Sequence, residues 1–181
     1  MLNTFVVYVE DKPGVLARVA ILFRRRAFNI ETLTVGRTDV PGVSRMTIVV
    51  DTDEQGALRI EANVYKLVNV LRIQNITGSN VTRDLALIKV AINADTHAQV
   101  QEIANKHGAN IVETGPEAVI LEFTSTKDKM DQFIAALRPY RILEMVCTGH
   151  VAMAGCSQAS HSGALLIEEI KGGAQGIPRS V

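Results

Sequence analysis

The order of strand and helix signals, which occurs twice along the 181 residues, limits the possible folds of this chain more than any other feature. The first half begins with a β-rich apolar run that stops before Lys12-Pro13-Gly14, and apolar residues at helical spacing follow over 15–23. Two strands, a second helix and a fourth strand are predicted near residues 30–35, 46–50, 60–68 and 70–76. This βαββαβ order is typical of a ferredoxin-like domain, with a four-stranded antiparallel sheet and two helices on one face.

The second half repeats this order without repeating the residues. Strand signals lie at 85–92, 111–112, 119–123 and 142–146, and helix signals lie at 100–104 and 130–137. We therefore predict an α+β protein with two ferredoxin-like βαββαβ domains, over residues 1–79 and 80–154. Residues 155–181 are rich in Ser, Ala and Gly, with one aliphatic and acidic stretch at 165–170, and we expect them to form a flexible tail.

Helix caps and the second face of the sheet are also predicted from residue type. Asp51 or Asp53 is expected to cap the second helix, Asp95 or Thr96 the third, and Ser125 or Thr126 the fourth. Because helices cover one face of each sheet, the other face and the edges need cover or solvation. We expect the first domain to form a homodimer, with candidates for that second face at Phe5, Val7, Val35 and Ile48.

Charge and composition exclude several classes of function. Lys and Arg number 19, as do Asp and Glu, so the chain lacks the basic excess of a nucleic-acid-binding domain. Only 4% of the residues are aromatic, and Met46-Thr47-Ile48 stands where an RNA-binding sheet needs a stacking ring. The sequence has no signal-peptide pattern, no apolar run of membrane-spanning length and no disulfide framework. We expect a cytoplasmic protein that binds neither nucleic acid nor membranes.

One turn has the chemistry of an anion site. Residues 11–16 lie between the first strand and the first helix, and Gly14 would let a ligand approach the free N–H groups of the helix start. A carboxylate fits such a position because the helix dipole favours negative charge there, and Asn29 could add an amide. The alternative is that Pro13-Gly14 only begins a helix and that Asn29 only forms a turn.

Catalytic and metal sites have little support in the sequence. There is no nucleophile elbow, no dinucleotide-binding glycine motif and no phosphate-binding loop. Cys147, His150, Cys156 and His161 are possible metal ligands, but their spacing is irregular for a zinc site. We predict no catalytic residue and no metal site in this chain.

The residues themselves carry a more specific signal than their spacing. The chain resembles an ACT domain in Asp11-x-Pro13-Gly14-Val15-Leu16 and in the later run Asn29-Ile30-Glu31-Thr32-Leu33-Thr34-Val35. Over about residues 2–150 it resembles the small regulatory subunit of acetohydroxyacid synthase, also called acetolactate synthase. The further runs that carry this resemblance are Arg18-Val19, Leu22-Phe23, Ser44-Arg45-Met46-Thr47, Lys66-Leu67-Val68-x-Val70-Leu71, Arg83-Asp84-Leu85-Ala86-Leu87-Ile88-Lys89-Val90, Ile142-Leu143-Glu144 and Thr148-Gly149.

The resemblance implies a non-catalytic subunit that dimerises through its ACT domains. A branched-chain amino acid such as valine would bind at that interface and cause feedback inhibition of valine, leucine and isoleucine synthesis. The large catalytic subunit, which this chain would activate, would carry thiamine diphosphate, magnesium and FAD. The implied effector site comprises Asp11, Lys12, Pro13, Gly14, Val15 and Leu16, with Asn29 and Ile30 from across the dimer. A free-standing ACT-domain amino-acid sensor that acts on another enzyme is the alternative.

The chain departs from the family pattern in three places. Asp11 stands where Asn is common, and its carboxylate would repel the effector's carboxylate but could pair with its ammonium group. Arg26-Ala27-Phe28 replaces the usual Arg-Gly-Tyr at the end of the first helix. Gly155-Cys156-Ser157 replaces a basic Ser-Arg-Gly ending, and the chain continues beyond it.

Overall fold

The computed structural model describes residues 1–78 and 80–156, and the chain divides into two compact units. Within the described residues, the first unit comprises 1–81 together with 152–156, and the second comprises Thr82–Val151. The second unit thus begins two residues after the expected boundary, and Ala152 belongs with the first unit.

The first unit has the predicted βαββαβ order. Its elements are β1 (Leu2–Glu10), α1 (Val15–Arg25), β2 (Ile30–Arg37), β3 (Val43–Asp51), α2 (Glu54–Val64) and β4 (Val70–Asn75). The strands form an antiparallel sheet in the order β2-β3-β1-β4, so β2 and β4 are the edges.

The second unit repeats the arrangement. Its elements are β5 (Asn80–Ala91), α3 (His97–His107), β6 (Asn110–Thr114), β7 (Ala118–Ser125), α4 (Lys127–Leu137) and β8 (Ile142–Cys147). The strand order β6-β7-β5-β8 matches that of the first sheet, which confirms the predicted α+β fold with two ferredoxin-like domains. A short strand that the sequence did not indicate, β9 (Val151–Ala154), pairs with β5.

Each unit has its own core between two helices and one face of its sheet. In the first unit, Val15, Val19 and Phe23 of α1 pack with alternate residues of β1 and β3. In the second unit, the ring centroids of Phe123 and Phe133 lie 4.7 Å apart. Burial of such side chains stabilises each unit by about 1.5–3 kcal/mol per residue.

The prediction of which residues form the second face of the first sheet was wrong. Phe5, Val7 and Ile48 belong to the helix-covered core, and Val35 pairs with Met46 on that same face. The helix-free face carries Val6 and Tyr8 of β1 and Ile76, and Ala152 packs against Val6 and Ile76. The error has a physical cause: β1 and β3 are apolar in consecutive positions, so the phase of their alternation cannot be read from the sequence.

The predicted caps are partly confirmed. Asp53 caps α2, because its carboxylate accepts a hydrogen bond from the Gly56 N–H at 2.7 Å, whereas Asp51 pairs with the N-terminal ammonium group at 2.5 Å. Thr96 and Thr126 occupy the N-cap positions of α3 and α4, but neither makes a side-chain cap bond.

Two segments differ from expectation or lie outside the described residues. Helix α2 ends at Val64, so Leu67 and Val68, which the apolar spacing assigned to it, lie in the following turn. The expected flexible tail falls outside the described residues from position 157 onward. Among the helices that are described, none has the length and apolar character needed to cross a membrane.

Candidate functional site

The predicted residues 11–16 form the turn from β1 into α1, and a glycine stands at the helix start. Gly14 is the N-cap residue, with φ 83° and ψ −6°, a left-handed conformation that glycine adopts without strain. A Cβ atom at this position would meet no other atom within 4 Å, so the space around the helix start is open. A ligand can therefore approach the first turn of α1 closely.

Two backbone donors in the first turn of α1 have no hydrogen-bond partner among the described residues. The Val15 N–H donates to the Lys12 carbonyl at 3.3 Å, and the helical ladder begins with the Arg18 N–H donating to the Gly14 carbonyl at 3.0 Å. Within the described residues, the N–H groups of Leu16 and Ala17 have no hydrogen-bond partner, and no side chain caps the helix. Of the N–H groups expected to be free at Gly14, Val15 and Leu16, that of Val15 has a partner, whereas those of Gly14 and Leu16 have none among the described residues.

The turn is tied to the sheet while its side chains face solvent. The Asp11 N–H donates to the Gly42 carbonyl at 2.8 Å, and Val15 is buried in the core. Asp11, Lys12, Pro13 and Gly14 are exposed, and Leu16 is 43% exposed. The first turn therefore offers an acidic group, two N–H donors and an aliphatic side chain on an anchored backbone.

A polar cluster beside the turn was not predicted from the sequence. The Glu10 carboxylate accepts a hydrogen bond from the Asn69 amide at 2.6 Å and pairs with the Lys12 ammonium at 3.1 Å. Arg18 donates to the carbonyl oxygen of the same Asn69 side chain. Asn69 lies 59 residues after Glu10, so no local sequence pattern could have indicated this contact. Because the cluster holds the Lys12 ammonium beside the Glu10 carboxylate, Lys12 attracts an incoming anion less strongly.

Asn29 and Ile30, the other predicted site residues, lie at the opposite end of the same sheet. Ile30 begins β2 and pairs with Val50, which pairs with Asn3 near the start of β1, whereas the turn follows Glu10 at the end of β1. The seven residue steps from Asn3 to Glu10 along β1 span about 24 Å. A single copy of the chain therefore does not bring Asn29 and Ile30 together with residues 11–16.

The end of α1 directs the chain toward Asn29. The Ala27 N–H donates to the Arg24 carbonyl at 3.1 Å, and the Phe28 N–H donates to the Phe23 carbonyl at 3.1 Å. These two bonds are those of a Schellman motif, whose left-handed residue is usually glycine. Here that residue is Ala27, with φ 57°, at the position where the family pattern has glycine.

The Asn29 side chain remains able to bind a ligand. Its amide nitrogen donates to the Glu31 carboxylate at 2.8 Å. A side-chain amide has a second hydrogen and a carbonyl oxygen, so one donor and one acceptor are left.

The candidate metal ligands do not form a cluster in the described structure. His150 Nδ1 lies 2.5 Å from Asp84 Oδ1, and Cys147 and Cys156 are exposed. The described residues contain no group of three or more His, Cys, Asp or Glu side chains that could hold a metal ion, and His161 lies outside them. Partial desolvation raises the pKa of the Cys147 thiol, as do the charges of Asp84 and Asp131, which lowers the fraction of thiolate at neutral pH.

Comparison with known proteins gives two family matches. Residues 83–155 match the model described as small subunit of acetolactate synthase, and residues 5–72 match the ACT domain like that of the AHAS small subunit. A probable acetolactate synthase small subunit of Archaeoglobus fulgidus is 44% identical over 153 residues, which cover 84% of this chain and 96% of that protein. The acetolactate synthase small subunit of Mycobacterium bovis is 43% identical over 152 residues, which cover 83% and 90%.

A solved structure extends the similarity to three dimensions. The crystal structure of the acetolactate synthase small subunit from Thermotoga maritima is similar to this chain with a TM-score of 0.80 and 34% sequence identity. The similarity covers 85% of this chain and 97% of that one.

Proposed function

Because this chain belongs to the family of acetolactate synthase small regulatory subunits, we propose that it binds a branched-chain amino acid and conveys this signal to a catalytic subunit. The observation that carries the proposal is the open helix start at Gly14, with two free N–H donors and an adjacent carboxylate.

The chemistry of residues 11–16 matches the three parts of an amino acid. The N–H groups of Leu16 and Ala17 would receive the α-carboxylate, with help from the dipole of α1. The Asp11 carboxylate would pair with the α-ammonium group. The exposed Leu16 side chain would contact an aliphatic side chain, which favours valine, leucine or isoleucine over a polar amino acid, with valine as the first candidate.

The separation of the site residues within one chain supports a site shared by two copies. Strand β2 is an edge strand, and its last residue, Arg37, aligns through Ser44 with Val9 of β1. Two β2 edges that meet in antiparallel fashion across a twofold axis would place the start of one beside the end of the other. The partner's Asn29 and the partner's Ile30 would then lie close to residues 11–16 of this copy.

The side of α1 that faces away from α2 also suits such a dimer. Val15, Val19 and Phe23 face the core, and Arg18 and Leu22 face α2, so Leu16 and Ala20 lie on the remaining flank. Both residues are exposed, and the small Ala20 side chain allows a second helix to approach closely. We therefore propose a homodimer formed through the ACT domains, with its two effector sites at the interface.

In this proposal the chain is not itself the catalyst. Thiamine diphosphate, magnesium and FAD would be held by the catalytic subunit, in the cytoplasm, and the small subunit would raise the rate of that enzyme and make it sensitive to the amino acid.

Reconstitution tests the proposal. The catalytic subunit of the same organism is titrated with this chain, and acetolactate formation is measured with and without valine, leucine and isoleucine. We expect no activity from this chain alone, severalfold activation of the catalytic subunit, and inhibition by at least one of the three amino acids. An unchanged rate of the catalytic subunit, together with amino-acid binding by the isolated chain in calorimetry, would favour a free-standing sensor instead.

A further inference from the structure

A groove of about 400 Å³ lies between α1 and α2 on the outer side of the first unit. Its apolar lining comes from Ile21, Leu22 and Leu67. Three arginines, Arg18, Arg25 and Arg26, line the same groove. An apolar floor with a cationic rim fits a peptide that has aliphatic side chains and carboxylates.

The charges on the rim are not neutralised by carboxylates of the described chain. Arg18 donates to the side chain of Asn69, and Arg26 donates to the side chain of Asn63 at 3.0 Å, so both contacts are to neutral amides. Among the described residues, no carboxylate lies within 4 Å of the guanidinium groups of Arg18, Arg25 or Arg26. The groove therefore has three positive charges for which the described part of the chain provides no carboxylate partner.

The same chain contains a segment with the complementary composition. Residues 165–170 read Leu-Leu-Ile-Glu-Glu-Ile, with four aliphatic side chains and two carboxylates. This segment lies after the match to the family model, which ends at residue 155, so the shared function of the family does not account for it. Ala152 packs on the helix-free face of the first unit, so the following residues have to pass around the sheet to reach the groove. The nine residue steps from Cys156 to Leu165 can extend about 30 Å for this passage.

We propose that residues 165–170 dock in the groove between α1 and α2 of the first unit. The aliphatic side chains cover Ile21, Leu22 and Leu67, and the carboxylates of Glu168 and Glu169 pair with the arginines of the rim. The groove begins beside the first turn of α1 and ends at its last turn. The docked segment therefore contacts and stabilises the helix on the side opposite Leu16 and Ala20.

Hydrogen exchange of the full chain, followed by mass spectrometry, tests the docking. In the wild type, peptides over 165–170 are expected to exchange on the order of tenfold more slowly than an unstructured peptide. The charge reversals Glu168→Lys/Glu169→Lys and Arg25→Glu/Arg26→Glu should each abolish this protection, and the combination of all four should restore it. Lys127→Glu/Lys129→Glu, on the exposed side of α4, is the matched control and should leave the protection unchanged.

Two outcomes would overturn the proposal. Free exchange of residues 165–170 in the wild type would mean that the segment is a flexible tail, as first expected from its composition. Protection that survives Arg25→Glu/Arg26→Glu would mean that it binds elsewhere. Ile167→Asp, which lies outside both described cores, provides the test if the arginine variant fails to fold, and it too should abolish protection. None of these measurements requires the catalytic subunit or an amino acid, so they are independent of the proposed function.

Discussion

At the scale of single residues, Ala27 occupies a conformation that costs an L-amino acid about 1–2 kcal/mol. Its φ of 57° is imposed by the two hydrogen bonds that close α1 and by Phe28, which packs on the core of the first unit. The neighbouring structure thus holds the alanine in a backbone region that favours glycine, and the cost remains in the folded state.

Ala27→Gly is therefore expected to stabilise the first unit. The gain should be about 0.5–1 kcal/mol, because relief of the left-handed strain exceeds the extra chain entropy that glycine has when unfolded. Ala62→Gly, an exposed position inside α2, is the matched control and should lower the free energy of unfolding by about 1 kcal/mol. Urea denaturation of both variants measures the change in the free energy of unfolding. A loss of stability in Ala27→Gly would contradict the expected gain.

Gly14 allows a charge test of the effector site with a closely matched control. Gly14→Asp and Gly14→Asn add side chains of the same size at φ 83°, so they share any backbone cost. Only the aspartate places a negative charge at the N–H groups proposed to hold the effector's carboxylate. We expect valine binding to weaken about a hundredfold or more in Gly14→Asp, since charge-assisted bonds contribute about 1.5–3 kcal/mol each, and to weaken less in Gly14→Asn. Calorimetry that gave equal affinities for the two variants would refute the assignment.

The thiol of Cys147 should respond to a charge on α4. Because the Asp131 carboxylate contributes to the raised pKa of Cys147, Asp131→Asn should lower that pKa and increase the thiolate fraction at pH 8. Alkylation by iodoacetamide, measured in a Cys156→Ser background, should then be faster. Asp128→Asn on the same helix is the control and should leave the rate close to that of the parent. An equal increase in both variants would point to a general charge effect rather than to Asp131.

At the scale of elements, the first turn of α2 has no free space for a Cβ atom at its glycine. A Cβ atom at Gly56 would lie 1.9 Å from Thr52 Oγ1 and 2.9 Å from the cap oxygen of Asp53. Alanine normally favours a helix interior by about 1 kcal/mol over glycine, but here the overlap should dominate.

We expect Gly56→Ala to lower the free energy of unfolding by about 1–2 kcal/mol. In a Thr52→Ala background, which removes the nearest atom, the same change should cost clearly less. Thermal unfolding of the four proteins in this cycle measures the coupling, and strictly additive effects would show that Thr52 is not the cause.

Most elements could be predicted because their apolar spacing is unambiguous, and the failures have local physical causes. The apolar spacing continues through Leu67 and Val68, but the backbone leaves the helix after Val64 to form hydrogen-bonded turns. Strand β9 was missed because it has only four residues, two of them alanines that do not favour strands, and because it depends on its pairing with β5. In the site, the turn at Gly14 was evident from its residues, whereas the contact of Glu10 with Asn69 depends on tertiary packing that no local pattern encodes.

At the scale of the whole molecule, a site shared between two copies predicts complementation. Gly14→Asp should damage the turn, and Asn29→Asp should damage the contribution from across the interface by placing a charge near the effector's carboxylate. A heterodimer of these two variants has one site with both changes and one site with neither.

Co-expression with two different tags isolates that heterodimer. We expect it to bind about one valine per two chains, far more tightly than either homodimer, although more weakly than the wild type because its second site cannot contribute. A heterodimer as defective as its parents would place both residues in a site within one chain, and a monomer in light scattering at micromolar concentration would refute the dimer itself.

The two ends of α1 have a consequence for how such a dimer would respond to its effector. The helix is 11 residues long and spans about 16 Å as a rigid element, with Gly14 at one end and the strained turn that leads to Asn29 at the other. In the proposed dimer each α1 helix begins in one binding site, and the turn at its end positions Asn29 in the other site. A rearrangement that closes one pocket around the effector is therefore transmitted through α1 to the second pocket. Half-filled dimers should therefore be scarce, and valine should bind with a sigmoidal isotherm.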